Sequence, residues 1–176
     1  MRATVKSTTL QFKQLDYLSV NNILSRQQSG FRPSHSTLTA LLKDSMYWLN
    51  NVDNAKVNIA VFIDLKKAFD TVDHNILLKM KFYGIYEKEL SWFHSYLSNR
   101  TQRCFVNGVL SSVRTIKCGV PQGSILGPLL FLLFINDLSG CLSYTIPSMY
   151  ADDTSITSGD SDVIMLENRI NKDLSG

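Results

Sequence analysis

Three aspartates in two short segments are the residues of this sequence best suited to metal chemistry. Asp64 follows an apolar, β-branched run, residues 59–63, that is typical of a buried strand. Asp152 and Asp153 stand together between two further short runs with strand character. Unpaired carboxylates in a buried sheet are costly, and neighbouring carboxylates repel one another. A cation must therefore offset this charge, and no Lys or Arg is adjacent in these segments.

A pair of Mg²⁺ ions would satisfy these aspartates, because Mg²⁺ takes oxygen ligands and leaves coordination positions for substrate phosphates. Two such ions about 4 Å apart activate a 3′-hydroxyl and stabilise a leaving pyrophosphate. The alternative is that Asp152 and Asp153 form a polar turn and that Asp64 is a solvated acid at a strand end. An isolated pair of aspartates favours this alternative, whereas its combination with Asp64 favours the metal site.

Length and composition are those of an ordinary globular domain. The chain has 176 residues, of which 44% are hydrophobic and 19% charged, enough for one domain and at most a small second one. A net charge of +3 permits an anionic partner. The three unpatterned cysteines favour reduced thiols in an intracellular protein. The sequence shows neither a secretory signal nor an apolar run of the roughly 20 residues that span a bilayer, so we expect a soluble protein without a membrane partner.

Helices and strands alternate irregularly along the chain. Ser36 is a good N-cap for a first helix, and Asp73 for a helix that Gly84 ends. Asn107-Gly108 is a strong hairpin signal. The other expected elements are a helix over residues 88–97, an apolar helix from Pro128 to about Gly140, strands over residues 146–149 and 154–157, and an amphipathic helix over residues 162–174 with Val163, Leu166, Ile170 and Leu174 inward. This mixture predicts an α+β fold.

Four blocks carry a resemblance to a known family. In chain order they are QSGFRPSHST at residues 28–37, FIDLKKAFDTVDH at residues 62–74, GVPQGSILGP at residues 119–128 and YADD at residues 150–153. Their sequence, order and spacing resemble the reverse transcriptase of non-LTR retrotransposons, most like the Jockey-type clades. The resemblance covers nearly the whole chain from about Leu15 onward.

The resemblance implies a right-hand polymerase palm with fingers, in which an antiparallel sheet packs on helices. Residues 1–57 would be part of the fingers, and residues 58–176 the palm with interspersed finger segments. The implied activity is DNA synthesis on an RNA template from a DNA primer and deoxynucleoside triphosphates. The implied cofactor is a pair of Mg²⁺ ions, with Mn²⁺ as the alternative ion. The family also implies action in the nucleus.

The resemblance also implies roles for particular residues. Asp64, Asp152 and Asp153 would be the catalytic, metal-binding triad, and Leu65 would offer its backbone carbonyl to one metal. Phe69 falls where reverse transcriptases place an aromatic residue beneath the sugar of the incoming nucleotide, so that it would exclude a 2′-hydroxyl. The alternative for Phe69 is a packed core residue, because aromatic side chains are often buried.

Three further residues would contact the nucleotide or template. Gln122 would lie beside the nucleotide and the templating base. Gly123 follows it in the same loop and would let the backbone approach a ligand closely. Arg32 would reach a phosphate, which suits a guanidinium. The alternatives are an ordinary polar loop residue for Gln122 and a surface arginine beside the turn-forming Pro33 for Arg32.

The family's long segment before residue 28 is reduced here to some 27 residues. The sequence has no counterpart of the family's palm lysine segment, primer grip, thumb or endonuclease, which predicts a domain truncated before the thumb. A second hypothesis is therefore a catalytically inactive remnant that at most binds nucleic acid or a partner. A third is an RNA polymerase that copies RNA. Phe69 argues against the third, because a ribonucleotide needs space for its 2′-hydroxyl.

Overall fold

The structure, a computed structural model, describes Lys13 and residues 15–175. The chain divides into two compact units. The described residues of one, here called the sheet unit, are Lys13, 15–66 and 135–175. The other, the hairpin unit, has residues 67–134 as its described part. The predicted fingers and palm segments have a different boundary, after residue 57, and that assignment stays a prediction.

A three-stranded antiparallel sheet forms the centre of the sheet unit. Its strands are β1 (Val57–Ile63), β6 (Ile146–Tyr150) and β7 (Asp153–Asp160), in the order β1-β7-β6. The mixture of helices with an antiparallel sheet confirms the α+β class. The central strand β7 extends three residues beyond the predicted end at residue 157, because its pairing with β1 continues to Asp160.

Serine and threonine make up half of β7, which is why its sequence understates the strand. Residues 154–158, TSITS, are all buried, so both faces of this central strand are covered. Hydroxyl groups tolerate such burial when they are hydrogen-bonded. The Thr157 hydroxyl donates to the carbonyl oxygen of Ile146 at 3.4 Å. A Cβ at Gly159 would overlap the carboxamide of the buried Asn51, so glycine is what permits this close approach.

Three main helices belong to the sheet unit. They are α1, described over residues 15–20, α2 (Thr37–Asp53) and α7 (Val163–Ser175). Ser36 caps α2 as predicted: its hydroxyl oxygen accepts from the Thr39 backbone, and the Thr39 hydroxyl oxygen accepts from the Ser36 backbone. In α7, Leu166 and Ile170 are buried as expected. The expectation was wrong for Val163 and Leu174, which are about half exposed because they lie at the helix ends.

The hairpin unit begins with two helices and two short strand pairs, which precede a third helix, α5 (Gly127–Ile135). The helices are α3 (Ile76–Phe82) and α4 (Glu87–Leu97), and a 3-10 turn, Ala68–Asp70, precedes them. The strands are β2 (Thr101–Gln102), β3 (Phe105–Val106), β4 (Val109–Leu110) and β5 (Arg114–Thr115), paired β2-β5 and β3-β4. Asn107 and Gly108 both have positive φ, as the predicted tight hairpin turn requires.

The apolar run after Pro128 forms the most buried helix. Helix α5 (Gly127–Ile135) holds Leu129, Leu130, Phe131, Leu132 and Leu133, each at most 1% exposed. The expected single helix to Gly140 is wrong, because the chain turns at residues 136–137 and α6 (Leu138–Cys141) follows separately. The Asn136 carboxamide accepts from the Ser25 backbone at 2.8 Å and donates to the Ile23 carbonyl at 2.9 Å. Among the described residues, no helix is long and apolar enough to cross a bilayer.

Asp173 on α7 organises the segment that leads into β6. Its carboxylate accepts hydrogen bonds from the backbone of Ser143, Tyr144 and Thr145 at 2.8–3.0 Å, and from the Thr145 hydroxyl at 2.7 Å. Burial acts to raise the pKa of Asp173, but the hydrogen bonds outweigh it and hold the pKa below its usual value. The ionised carboxylate is therefore the form that stabilises the fold.

We expect Asp173→Asn to lower the melting temperature at pH 7. The melting temperature of the variant should also decrease less than that of the unmodified chain as the pH is lowered. A carboxyl whose folded pKa is depressed stabilises the fold above its unfolded pKa, about 3.9, and this contribution disappears as pH falls through the folded pKa. Thermal melts between pH 2 and pH 7 measure the effect. The control is Asp16→Asn, which removes an exposed aspartate of α1. Equal pH slopes for the Asp173 variant and the unmodified chain would contradict the role of this carboxylate.

Candidate active site

The hairpin between β6 and β7 presents two of the three candidate acids. Tyr150 pairs with Asp153, and Ala151 and Asp152 form the turn between them. Ala151 has φ +58°, a left-handed conformation that costs an L-residue roughly 1–2 kcal/mol. The sequence predicted a strand on each side of this turn, and the structure confirms both. The direction in which both aspartates leave the turn therefore depends on a strained residue.

The third acid lies at the same end of the neighbouring strand. Ile63 and Thr154 form the last pair of the β1–β7 register. Asp64 follows Ile63 and Asp153 precedes Thr154, so both acids lie at the same end of the sheet. Both acids border one cavity of about 600 Å³. The structure thus brings together Asp64 and Asp153, which are 89 positions apart in the sequence.

Burial at this site differs from the expectation. Asp64 and Asp153 are exposed, and Asp152 is half-buried. The premise that three acids lie in a buried sheet was therefore wrong. Asp64 lies just beyond the end of β1, Asp152 lies in the turn, and Asp153 is the first residue of β7. Among the described residues, no group of three or more His, Cys, Asp or Glu side chains is placed to hold a metal ion.

The cavity beside the acids has a largely apolar wall. Helix α2 contributes Ala40, Leu41 and Trp48, and the sheet contributes Phe62 and Tyr150. The indole nitrogen of Trp48 is buried with no hydrogen-bond partner among the residues that the structure describes. An apolar wall beside exposed carboxylates provides a surface for the flat or apolar part of a ligand whose other end is charged or metal-bound.

Phe69 lies in the 3-10 turn of the hairpin unit. Its ring stacks on the ring of Phe131, with centroids 4.4 Å apart and an angle of 19° between the planes. Phe131 is fully buried, whereas Phe69 is half-buried. This stacking contact is what we would expect if Phe69 were a packed core residue. The rest of the Phe69 surface remains accessible.

Gln122 is held by a residue to which the sequence assigned no role. Its side-chain nitrogen donates to the Asp70 carboxylate at 2.9 Å. Both residues line a second cavity, of about 670 Å³, together with the basic side chains of Arg100 and Lys117. Gly123 has φ +71°, and a Cβ there would meet no atom within 4 Å, so the backbone conformation alone favours glycine.

Backbone contacts fix the loop of Gln122 against the loop of Phe69. The Val120 amide donates to the carbonyl oxygen of Phe69 at 2.8 Å, and the Gly119 amide donates to that of Val72 at 2.7 Å. A Cβ on Gly119, which has φ +84°, would lie 2.6 Å from the Asp70 carbonyl oxygen. No sequence signal pairs Asp70 with Gln122, since they are 52 positions apart.

Arg32 and Leu65, the other two candidates, belong to the sheet unit. One guanidinium nitrogen of Arg32, Nη1, donates to the carbonyl oxygens of Ser25 at 2.8 Å and Gln28 at 3.1 Å. Burial lowers the pKa of the Arg32 guanidinium from its ordinary value. Arg32 thus supports its own loop. Leu65 is half-buried and directly follows Asp64 beyond the end of β1.

Comparison with known proteins places these features in a family. A family model described as reverse transcriptase (RNA-dependent DNA polymerase) matches residues 1–172. The chain is 34% identical over 155 residues to the probable RNA-directed DNA polymerase from transposon BS of Drosophila melanogaster, an alignment that covers 80% of this chain and 16% of that protein. It is 33% identical over 146 residues to the RNA-directed DNA polymerase from mobile element jockey of the same species, with 78% and 16% covered.

A second jockey polymerase, from Drosophila funebris, is 29% identical over 160 residues, which cover 82% of this chain. The chain spans 16% to 18% of the length of these three relatives.

Proposed function

This chain belongs to the reverse transcriptase (RNA-dependent DNA polymerase) family, among the Jockey-like non-LTR retrotransposon proteins, and from that premise we propose that it contains the catalytic centre of such an enzyme. Its enzyme class by family is RNA-directed DNA polymerase. The proposed reaction adds deoxynucleotides to the 3′-hydroxyl of a DNA primer paired with an RNA template. The proposed setting is the nucleus, with residues 1–57 in the fingers and residues 58–176 mainly in the palm.

The single observation that carries this proposal is the register of β1 against β7. It makes Asp64 and Asp153 neighbours at the same sheet end, and both are exposed beside a cavity. A structural role would call for a basic partner. The ion pair that the structure gives β7 is at its other end, where the Asp160 carboxylate lies 2.7 Å from the Arg169 guanidinium. The two site acids are available to a ligand.

The donor set at this sheet end fits a hard divalent cation. Carboxylates of Asp64, Asp152 and Asp153 and the backbone carbonyl of Leu65 are all oxygen donors, which Mg²⁺ or Mn²⁺ prefers. When bound, two such ions would activate the primer hydroxyl and stabilise the leaving pyrophosphate. The protein's contribution is to hold the acids at one sheet end and to leave them accessible to triphosphate oxygens.

The candidate nucleotide-binding residues are proposed to act by shape and hydrogen bonding. The exposed part of Phe69 would exclude a 2′-hydroxyl, supported from behind by its stack on Phe131. Asp70 would orient the Gln122 carboxamide, while Gly123 would let the loop backbone come close to the nucleotide. A phosphate contact by Arg32 would use guanidinium nitrogens other than Nη1, which holds two carbonyls.

A second candidate function is that of an inactive remnant that only binds nucleic acid or a partner. The observation in its favour is that, of the described side chains, no three acids or other ligating groups are placed together to hold a metal ion. Binding without catalysis would need only the mildly basic surface, net charge +3. An assay of nucleotide addition separates the two functions.

Primer extension on an RNA template tests the proposal. We expect Mg²⁺-dependent addition of deoxynucleotides by residues 1–176, and stronger addition when a polymerase thumb is joined to them, because a thumb holds primer and template. Asp64→Asn should remove the activity in both. Template binding with no extension in either protein would support the inactive remnant instead.

A further inference from the structure

A buried carboxamide lies directly behind the turn that carries the catalytic aspartates. Gln28 is 2% exposed, and its side-chain oxygen accepts from the Ala151 amide at 2.9 Å and from the Gly30 amide at 2.7 Å. Its side-chain nitrogen donates to the Ala151 carbonyl oxygen at 3.1 Å. One side chain therefore binds both backbone polar groups of Ala151, the residue with φ +58° that immediately precedes Asp152.

The segment around Gln28 is itself bound to the edge of the sheet. The Ser29 amide donates to the Met149 carbonyl oxygen at 2.8 Å, and the Met149 amide donates to that of Gln27 at 2.9 Å. This is a short parallel pairing along β6, at the edge opposite β7. These hydrogen bonds fix the backbone on both sides of Gln28, and the Gln28 side chain extends from this fixed backbone to the turn.

Close packing and a half-buried arginine complete the support. A Cβ at Gly30 would overlap the backbone nitrogen of Ala151, so glycine permits the loop to lie directly against the turn. The Nη1 nitrogen of Arg32 donates to the Gln28 carbonyl oxygen and ties the same loop together. Buried and fully hydrogen-bonded polar groups specify one arrangement, because any other arrangement leaves them unsatisfied.

We propose that Gln28 is a positioning residue of the active site. It holds Ala151 in the left-handed conformation and thereby sets the direction in which Asp152 and Asp153 leave the turn. L-residues rarely adopt this conformation unless their surroundings impose it. The consequence for metal binding and catalysis depends on the function proposed above for Asp152 and Asp153, whereas the support of the turn does not.

The first arm of the test removes the carboxamide at nearly constant volume. Gln28→Met should increase the hydrogen exchange rate of the Ala151 and Gly30 amides at least about tenfold, because both lose their acceptor. It should also weaken Mn²⁺ binding, measured by calorimetry, by about tenfold, the usual effect of losing a group that orients metal ligands. Gln27→Met is the matched control. It makes the same change one residue away, loses only a hydrogen bond from Lys43, and should change neither quantity.

The second arm separates positioning from core packing. Glycine adopts positive φ without cost, so Ala151→Gly removes the need for support. We expect Gln28→Met to weaken Mn²⁺ binding less than about threefold in the Ala151→Gly background. If Gln28→Met alone does not fold, recovery of folding by Ala151→Gly is the expected result.

Two outcomes overturn the proposal. One is an unchanged hydrogen exchange rate of the Ala151 and Gly30 amides in Gln28→Met. The other is an equal loss of Mn²⁺ affinity from Gln28→Met with and without Ala151→Gly. Failure of the proposed function has a different result. In that case Asp153→Asn in the otherwise unmodified chain leaves Mn²⁺ affinity unchanged, while amide exchange at Ala151 still decides the role of Gln28.

Discussion

Asp153→Asn is expected to reduce primer extension on an RNA template on the order of a thousandfold. The substitution keeps the shape of the side chain but removes the charge of a proposed metal ligand, which borders the same cavity as Asp64. Because Asp153 is exposed, the fold should be preserved. The melting temperature of the metal-free protein should be equal or slightly higher, since one of two neighbouring like charges is gone.

Asp160→Asn is the matched control for this prediction. It makes the same change at the opposite end of β7, where the carboxylate pairs with Arg169, and should leave extension within about twofold because surface ion pairs contribute little. The measurements are single-nucleotide extension rates, Mg²⁺ affinity and thermal melts. Unchanged Mg²⁺ affinity together with retained extension in Asp153→Asn would show that the acids are not metal ligands.

Phe69→Val is expected to open the nucleotide site to ribonucleotides. Removal of a steric barrier leaves the catalytic acids in place, so deoxynucleotide incorporation should stay within roughly tenfold. Ribonucleotide incorporation should rise about a hundredfold, equivalent to about 2.7 kcal/mol of lost discrimination. The loss of the stack on Phe131 adds a cost that the sequence alone did not predict, a stability decrease of about 1–3 kcal/mol.

The control variant for Phe69 changes the other ring of the stack. Phe131→Leu removes the stacking partner and lowers stability but keeps the Phe69 ring, so sugar selection should change far less than in Phe69→Val. Incorporation rates of matched ribonucleotides and deoxynucleotides measure selection. Equal loss of both activities in Phe69→Val would identify a core residue. No change in either activity would place Phe69 away from the sugar and reopen the hypothesis of an RNA polymerase that copies RNA.

Local signals in the sequence were sufficient to predict several of the helices, strands and turns. The β-branched run before Asp64 predicted β1, Ser36 predicted the start of α2, and Asn107-Gly108 predicted the β3-β4 turn. Each depends on interactions between residues a few positions apart. The same local reasoning understated β7, because its serines and threonines form a strand only when β1 and β6 pair with its two edges.

The sequence by itself determined the types of the candidate site residues and the two strand ends that carry the acids. Only the tertiary structure decided that Asp64 and Asp153 are neighbours, that both are exposed, and that a helix break at Asn136 supports a loop 111 positions earlier. It also decided that Gln28 reaches Ala151 across 123 positions. The physical reason is that buried hydrogen bonds between distant segments depend on which segments the fold brings into contact. No local propensity specifies that contact.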